Sequence, residues 1–441
     1  MWPPAEGVFG ASSPRVSEVV IWLCYLLFLL PVLYLIYTIL FLHPSSRRKW
    51  KKVGELLSHP DETTALLRYF IRKKRQLPTN LTEEEQYCFF MLTRVSRSFA
   101  SVIIELHDEL RTAICVFYLT LRALDSIEDD MTIDLEVKLA ELRQFSQNIQ
   151  IRGWNSRKGY GAANVYEQEL LENFDRVIAV YYRLSPQYQS VIKEIATQMA
   201  EGMAIYQTKE VATLKDYDSY CYYVAGLVGV GLTRLFYHSA LMGDSMSNID
   251  DLAISMGLFL QKTNIIRDYL EDTVQQPPRC FYPKEVWSKY VKHLGDLQYP
   301  QYHNEALSCL NDMVTDALRH VPDCLQYMSL VDEESCFRFC AIPQVMAVAT
   351  LERCYNNHDV FTGVVKIRKG EAAKLILQSC SFESVVRIFE EYLHTIASKI
   401  PKKAHSGNQT RGRVADALQS VRLWKKQINT RRMQQGAKKG D

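Results

Sequence analysis

The sequence predicts an all-α protein with one large helical domain, and three observations carry that prediction. Apolar residues recur at spacings of three and four through most of residues 53–400. No stretch alternates apolar and polar residues between turn signals as a strand would. Glycine (19) and proline (15) are scarce for 441 residues, whereas β folds need many turns. With 47% hydrophobic and 23% charged residues, the chain supports a large core and is not disordered, collagen-like or low in complexity. No linker-like stretch divides residues 53–400, so one domain is expected there rather than the two or three that length suggests.

A formal net charge of +2 conceals a segregation. Residues 1–46 sum to −1, and Arg47, Arg48, Lys49, Lys51 and Lys52 add +5. From Pro401 onward 11 basic residues face only Asp416 and Asp441, a sum of +9, which leaves −11 for residues 53–400.

The elements follow in order. Residues 1–18 form a short leading segment. Residues 19–42 are 24 uncharged, mostly apolar positions, enough for a membrane span of about 20 residues. The run is too long for a signal-peptide core, and no basic stretch precedes it. Residues 43–52 are a basic juxtamembrane linker, and the positive-inside rule places that side in the cytosol. Eleven scattered cysteines with no framework spacing agree with a cytosolic face. Within 53–400, helices are expected over 98–124, 167–184, 191–207, 220–241, 251–270, 304–330 and 336–354, with breaks at 153–161, 243–248 and 275–283. Residues 401–441 read as a basic, disordered tail that contacts anionic lipid.

Two short patterns carry the chemistry. Asp125-Ser-Ile-Glu128-Asp129 and Asp268-Tyr-Leu-Glu271-Asp272 are both D-x-x-E-D. Positions i, i+3 and i+4 share a helix face, so each motif sets three carboxylates side by side, where they repel one another. A single copy usually marks a solvated helix face. Two copies, each accompanied by an arginine (Arg122, Arg267) and an apolar run, point instead to bound cations. Hard carboxylate oxygens suit Mg²⁺, which bridges a few carboxylates to substrate phosphates, and guanidinium groups suit phosphate oxygens. The implied site is an apolar cavity with a metal-diphosphate mouth, as ionisation of an allylic diphosphate requires. Gly226-x-x-Gly229-x-Gly231 imitates a dinucleotide fingerprint, but its flanks read as helix rather than strand; close helix packing or room for a prenyl chain explains it better.

The segments VSRSFASVI (95–103), FYLTLRALDSIEDDMTI (117–133), YCYYVAGLVGVGLTRLF (220–236), MGLFLQKTNIIRDYLED (256–272), FCAIPQVMAVATL (339–351) and VKIRKG (365–370) resemble the squalene synthases, the farnesyl-diphosphate farnesyltransferases. The resemblance covers about residues 53–400. It implies the single-domain isoprenoid synthase fold, a helical bundle around a central cavity. It also implies Mg²⁺-dependent head-to-head condensation of two farnesyl diphosphates to presqualene diphosphate, then NADPH-dependent reduction to squalene for sterol synthesis.

By motif match, Asp125, Glu128, Asp129, Asp268, Glu271 and Asp272 would hold metal, with Asp125, Asp129, Asp268 and Asp272 catalytic. Tyr220 would assist the first half-reaction. Arg97, Arg122, Arg267, Lys366 and Arg368 would contact NADPH or diphosphate. Ser96, Ser98, Phe99, Tyr118, Gln261, Asn264, Phe339 and Pro343 would line the substrate pocket. Tyr220 stands among Tyr217, Tyr222 and Tyr223, and Phe339 and Pro343 read equally well as core. VKIRKG favours the reductive enzyme over a phytoene- or dehydrosqualene-type synthase. The family's usual C-terminal membrane helix is missing here and an N-terminal run stands instead. An endoplasmic reticulum location, a monomer and no nucleic-acid partner are expected.

Overall fold

The computed structural model describes residues 58–72, 75–96, 99–161, 164–275, 279–401 and 407–437. The expected membrane span at 19–42 and its basic flank lie outside these. Among the described residues no helix is long and apolar enough to cross a membrane. Residues up to Leu67 group apart from Arg68–Asp441. In the first unit residues 60–67 are helical; the second holds the fold described below.

Among its described residues that unit is helical throughout, with no strand. Helix Asp250–Arg267 is central. It packs against the helices Leu227–His238, His303–Leu318, Val321–Met328 and Glu334–Cys354. Its buried residues face every direction, with Gly257, Leu258, Lys262 and Ile265 opposite Ala253, Met256, Phe259 and Thr263. A helix covered on all sides is what the core of a large domain calls for. Around it lie Asp108–Asp129 and Pro186–Tyr206, which pack against each other and against Leu227–His238.

The expected helices are present, with breaks the periodicity does not reveal. The stretch 98–124 divides into Phe99–Ile104 and Asp108–Asp129, because the His107 ring accepts the Glu109 N–H and caps a new start. The stretch 167–184 divides at Asn173. The stretch 304–330 divides before Val321, where Pro322 suits a helix's first turn. The stretch 220–241 contains a π-helical turn, Tyr222–Gly226, between Leu214–Cys221 and Leu227–His238. Such turns often occur at functional sites.

The fingerprint-like glycines serve packing. A Cβ on Gly229 would stand 2.3 Å from the Ala253 carbonyl oxygen, and one on Gly257 would stand 2.2 Å from that of Ala225. The two helices therefore touch backbone to backbone, which only glycine allows.

The tail differs from expectation. Residues Gly407–Ala437 form a helix of 31 residues that packs on Phe382–Ser398 and His303–Leu318. Val414, Ala417 and Val421 fall at helical spacing and are buried. Each valine so covered contributes roughly 1.5–3 kcal/mol. Thr410 bonds to Thr315 at 2.7 Å, and Lys425 pairs with Glu390 at 2.9 Å. Three small apolar residues among many charges are a weak sequence signal, and Leu418, Trp424 and Ile428 pack beside them once a partner face exists. The ten cysteines among the described residues are all free thiols.

Candidate active site

Both acidic motifs open into one cavity of about 820 Å³. Asp125, Glu128 and Asp129 reach it from the C-terminal end of helix Asp108–Asp129. Asp268 and Asp272 reach it from the joint where Asp250–Arg267 ends and Tyr269–Val274 begins. The second motif is thus split across two helices, with the Asp272 N–H bonded to the Asp268 carbonyl at 3.0 Å. Glu271 is exposed and outside the cavity lining. Glu271 and Asp272 lie in the first turn of Tyr269–Val274, where the backbone favours carboxylates. Asp125, Glu128 and Asp129 instead crowd a helix C-terminus, where the backbone carries partial negative charge and carboxylates call for a cation.

Electrostatics say the same. Burial, reinforced by neighbouring carboxylates, pushes Asp125 up to about 7 and Asp272 up to about 7. Burial also pushes Glu128 up to about 8, against the pull of Arg279. Arg279 is the cation that is present. Its guanidinium pairs with both Glu128 and Asp129, and its backbone N–H donates to the Asp272 carbonyl at 2.9 Å. One residue thereby ties the first cluster to the end of the second. Sequence reading took residues 275–283 only as a break and missed Arg279. The available signal was a lone arginine between prolines, just downstream of the second motif.

Tyr220 is buried and lines the same cavity. Its ring stacks on Phe281 with centroids 3.9 Å apart, and it meets Tyr206 edge-on at 5.3 Å. Burial first, then the charge of Glu128, holds its phenol well above the ordinary range. Of the neighbouring tyrosines, Tyr217 is packed beneath Lys262, and neither Tyr222 nor Tyr223 lines the cavity. Tyr220 is therefore the tyrosine of this group that faces the acids. Gln261, Asn264, Val224, Ile265 and Phe281 complete its walls.

The remaining expected residues divide. Arg97 and Ser98 lie outside the described residues. Arg122 stands behind the first cluster, 3.8 Å from Asp125 and 3.2 Å from the Tyr118 hydroxyl. Arg267 forks onto Asp268 at 2.7 and 2.5 Å. Both guanidiniums are half-buried and neither lines the cavity. Ser96 is buried and its hydroxyl accepts the Phe99 N–H at 3.1 Å. Phe99 meets Tyr118 at 6.1 Å, away from the acidic lining. Phe339 borders a second cavity of about 310 Å³ and packs edge-on against Phe236. Pro343 sits inside helix Glu334–Cys354. Lys366 is exposed, and Arg368 leads helix Lys369–Gln378 while pairing with Glu371 at 3.5 Å. Neither borders the acidic cavity.

Among the described residues no three acids or histidines close a metal site by themselves. The donor set nonetheless fits Mg²⁺. It offers hard oxygens in a partly buried setting that favours neutralisation, and leaves room for waters and substrate oxygens, which this ion retains. The exposed Lys366 and Lys369, with Arg368 between them, fit a phosphate such as a dinucleotide carries.

Comparison with known proteins agrees with this geometry. The family model Squalene/phytoene synthase matches residues 92–371. A squalene synthase of Candida albicans is 49% identical over 362 residues, 79% of this chain and 80% of that protein. The squalene synthase of Homo sapiens is 44% identical over 360 residues, 80% of this chain and 85% of that protein. A solved complex of TcSQS with the ligand E5700 aligns with a TM-score of 0.75 at 42% identity, covering 77% of this chain and 99% of that one.

Proposed function

Because this chain belongs to the squalene/phytoene synthase family, and is an enzyme of squalene synthase type, we propose that it condenses two farnesyl diphosphates head-to-head to presqualene diphosphate and reduces that intermediate to squalene. The observation that carries this reading is the convergence of two acidic clusters, Arg279 and Tyr220 on one cavity.

In that reading Asp125, Glu128 and Asp129, with Asp268 and Asp272, hold Mg²⁺. The ion supplies positive charge for the departing diphosphate. Arg279 is already paired to Glu128 and Asp129. It turns toward phosphate oxygens once those carboxylates are otherwise neutralised. The Tyr220–Phe281 stack presents π density to an allylic cation and excludes water. The Tyr220 hydroxyl stays protonated and donates toward diphosphate oxygen. Lys366 and Arg368 hold the NADPH phosphates, and NADPH supplies the hydride of the second step. Residues 19–42 anchor the chain in the endoplasmic reticulum membrane, with the catalytic unit, a monomer, on the cytosolic side. The basic helix Gly407–Ala437 lies near anionic lipid there.

Incubation of the full chain with farnesyl diphosphate and Mg²⁺, with and without NADPH, tests the reading. Squalene formed only with NADPH supports it. A product indifferent to NADPH replaces it with a dehydrosqualene-type synthase. For topology, protease added to intact microsomes should digest the catalytic unit, and protection would overturn the cytosolic assignment.

A further inference from the structure

Lys262 lies in the second signature, between cavity-lining Gln261 and Asn264, but it does not face the cavity. At 3.6 residues per turn its side chain leaves the helix about 110° from the mean direction of Gln261, Asn264, Ile265 and Asp268. It is fully buried. Its ammonium reaches Asp218 at 2.6 Å and Asp316 at 2.5 Å. Arg319 closes the group, 2.5 Å from Asp218 and 3.1 Å from Asp316. Two acids and two bases balance, and the Tyr217 ring lies 5.0 Å from the Lys262 ammonium. Taking the Lys262 ammonium wholly out of water carries a desolvation cost that its two ion pairs must return. Apolar residues in place of such a buried group often serve stability as well, so stability alone does not explain the arrangement.

Its placement does. Asp218 belongs to helix Leu214–Cys221, two residues before Tyr220. Lys262 belongs to Asp250–Arg267, six residues before Asp268. Asp316 belongs to His303–Leu318. The ion pair fastens the tyrosine-bearing helix to the helix that leads into the second acidic cluster. Within the π turn Ala225 meets Gly257, and beyond it Gly229 meets Ala253, so the chain that leads on from the tyrosine-bearing helix is fastened to Asp250–Arg267 again. Tyr220 and Val224 line the cavity between these fixed points. Without Lys262, Asp218 keeps only Arg319, and the direct ionic tie between the tyrosine-bearing helix and Asp250–Arg267 is gone.

We propose that Lys262, through Asp218 and Asp316, is a positioning residue that sets the spacing between Tyr220 and the Asp268–Asp272 cluster. The proposal rests on the reaction assigned above. It is specific to the first half-reaction, since both groups it spaces border the acidic cavity.

The test uses full-length Lys262→Met and the charge-balanced Lys262→Met/Asp316→Asn, the second guarding against unfolding from an unpaired buried acid. Circular dichroism gives the folded fraction, calorimetry gives Mn²⁺ binding in the presence of pyrophosphate, and steady-state kinetics give kcat and KM for farnesyl diphosphate. A misplacement near 1 Å predicts a fall in kcat of about 100-fold per folded molecule. With Mg²⁺ saturating, KM should stay within about threefold, because the contacts of the metal-bound substrate survive. Mn²⁺ binding should weaken, because Asp268 and Asp272 lose their fixed support. Unchanged kcat and Mn²⁺ affinity in folded double variant overturn the proposal. Activity lost only in proportion to unfolded protein also overturns it, and leaves the cluster purely structural. A wild-type chain that neither turns over farnesyl diphosphate nor binds Mn²⁺ overturns the functional reading itself, and this proposal with it.

Discussion

Arg279 pairs with Glu128 across 151 residues of chain, and its own backbone is bonded to Asp272. The first acidic cluster is thereby held to the second by a cation supplied from within the protein. The pair is mostly sheltered, with Glu128 at 6% and Arg279 at 18% exposure. Its worth is therefore larger than that of a surface ion pair. The first cluster is thereby partly neutralised before any ligand arrives, and in the proposed reading Arg279 changes partners when one does.

Arg279→Gln removes that cation. Stability should fall by about 1–3 kcal/mol, less than the loss of a fully buried pair because Asp129 is largely exposed. Urea titration in EDTA at pH 8 measures it. Turnover should drop by roughly 100-fold, the scale of losing one donor to developing negative charge. A variant with wild-type kcat/KM would remove Arg279 from the chemistry.

The raised carboxyls make a pH prediction. Asp125 and Asp272 near 7 and Glu128 near 8 stand above their unfolded values of about 4. Between those limits the folded state binds more protons than the unfolded state, so stability falls as pH rises. The contribution is complete below about pH 4 and is lost as pH passes through 7 to 8. Thermal midpoints of metal-free protein should decline from pH 6 to pH 8.5. Added Mg²⁺ should raise the midpoint more at pH 8.5 than at pH 6, because protons compete for the same oxygens. Equal Mg²⁺ effects at both pH values would contradict the assignment.

Tyr220→Phe keeps the 3.9 Å stack on Phe281 and removes only the hydroxyl. The melting midpoint should stay within a few degrees of wild type, while condensation slows by about 100-fold if the hydroxyl donates to the departing group. Phe281→Leu should instead raise the share of solvent-captured alcohol products, measured by gas chromatography. Neither effect occurring would return both rings to a packing role.

The acidic motifs were legible because i, i+3 and i+4 spacing is local, and both were recognised from six carboxylates in order. The helical class was legible for the same reason. Arg279 was not, since its partners Glu128 and Asp129 lie about 150 positions away. Nor was the position of Glu271 outside the cavity lining, nor the helix break at Asp268, which periodicity does not encode. The starts at His107 and Val321 depend on caps and a proline. The terminal helix escaped notice because Val414, Ala417 and Val421 acquire meaning only against the helices they cover. Lys262 sat in plain view within a recognised signature, but its burial is a property of three helices at once.

Lys366→Ala separates the two half-reactions. Lys366 is exposed and away from the acidic cavity. Condensation should keep its wild-type rate, while the apparent KM for NADPH rises by about tenfold, the worth of one phosphate contact. Equal loss in both steps would count against a dinucleotide role for this segment.

The most direct measurement is a single turnover of radiolabelled farnesyl diphosphate with Mg²⁺ and no NADPH, comparing wild type with Asp125→Asn and Asp272→Asn. Wild type should accumulate presqualene diphosphate. Each variant, folded by circular dichroism, should form it about 10³-fold more slowly, because each removes charge from one wall of the shared cavity. Near-normal formation in either variant would contradict the two-cluster site.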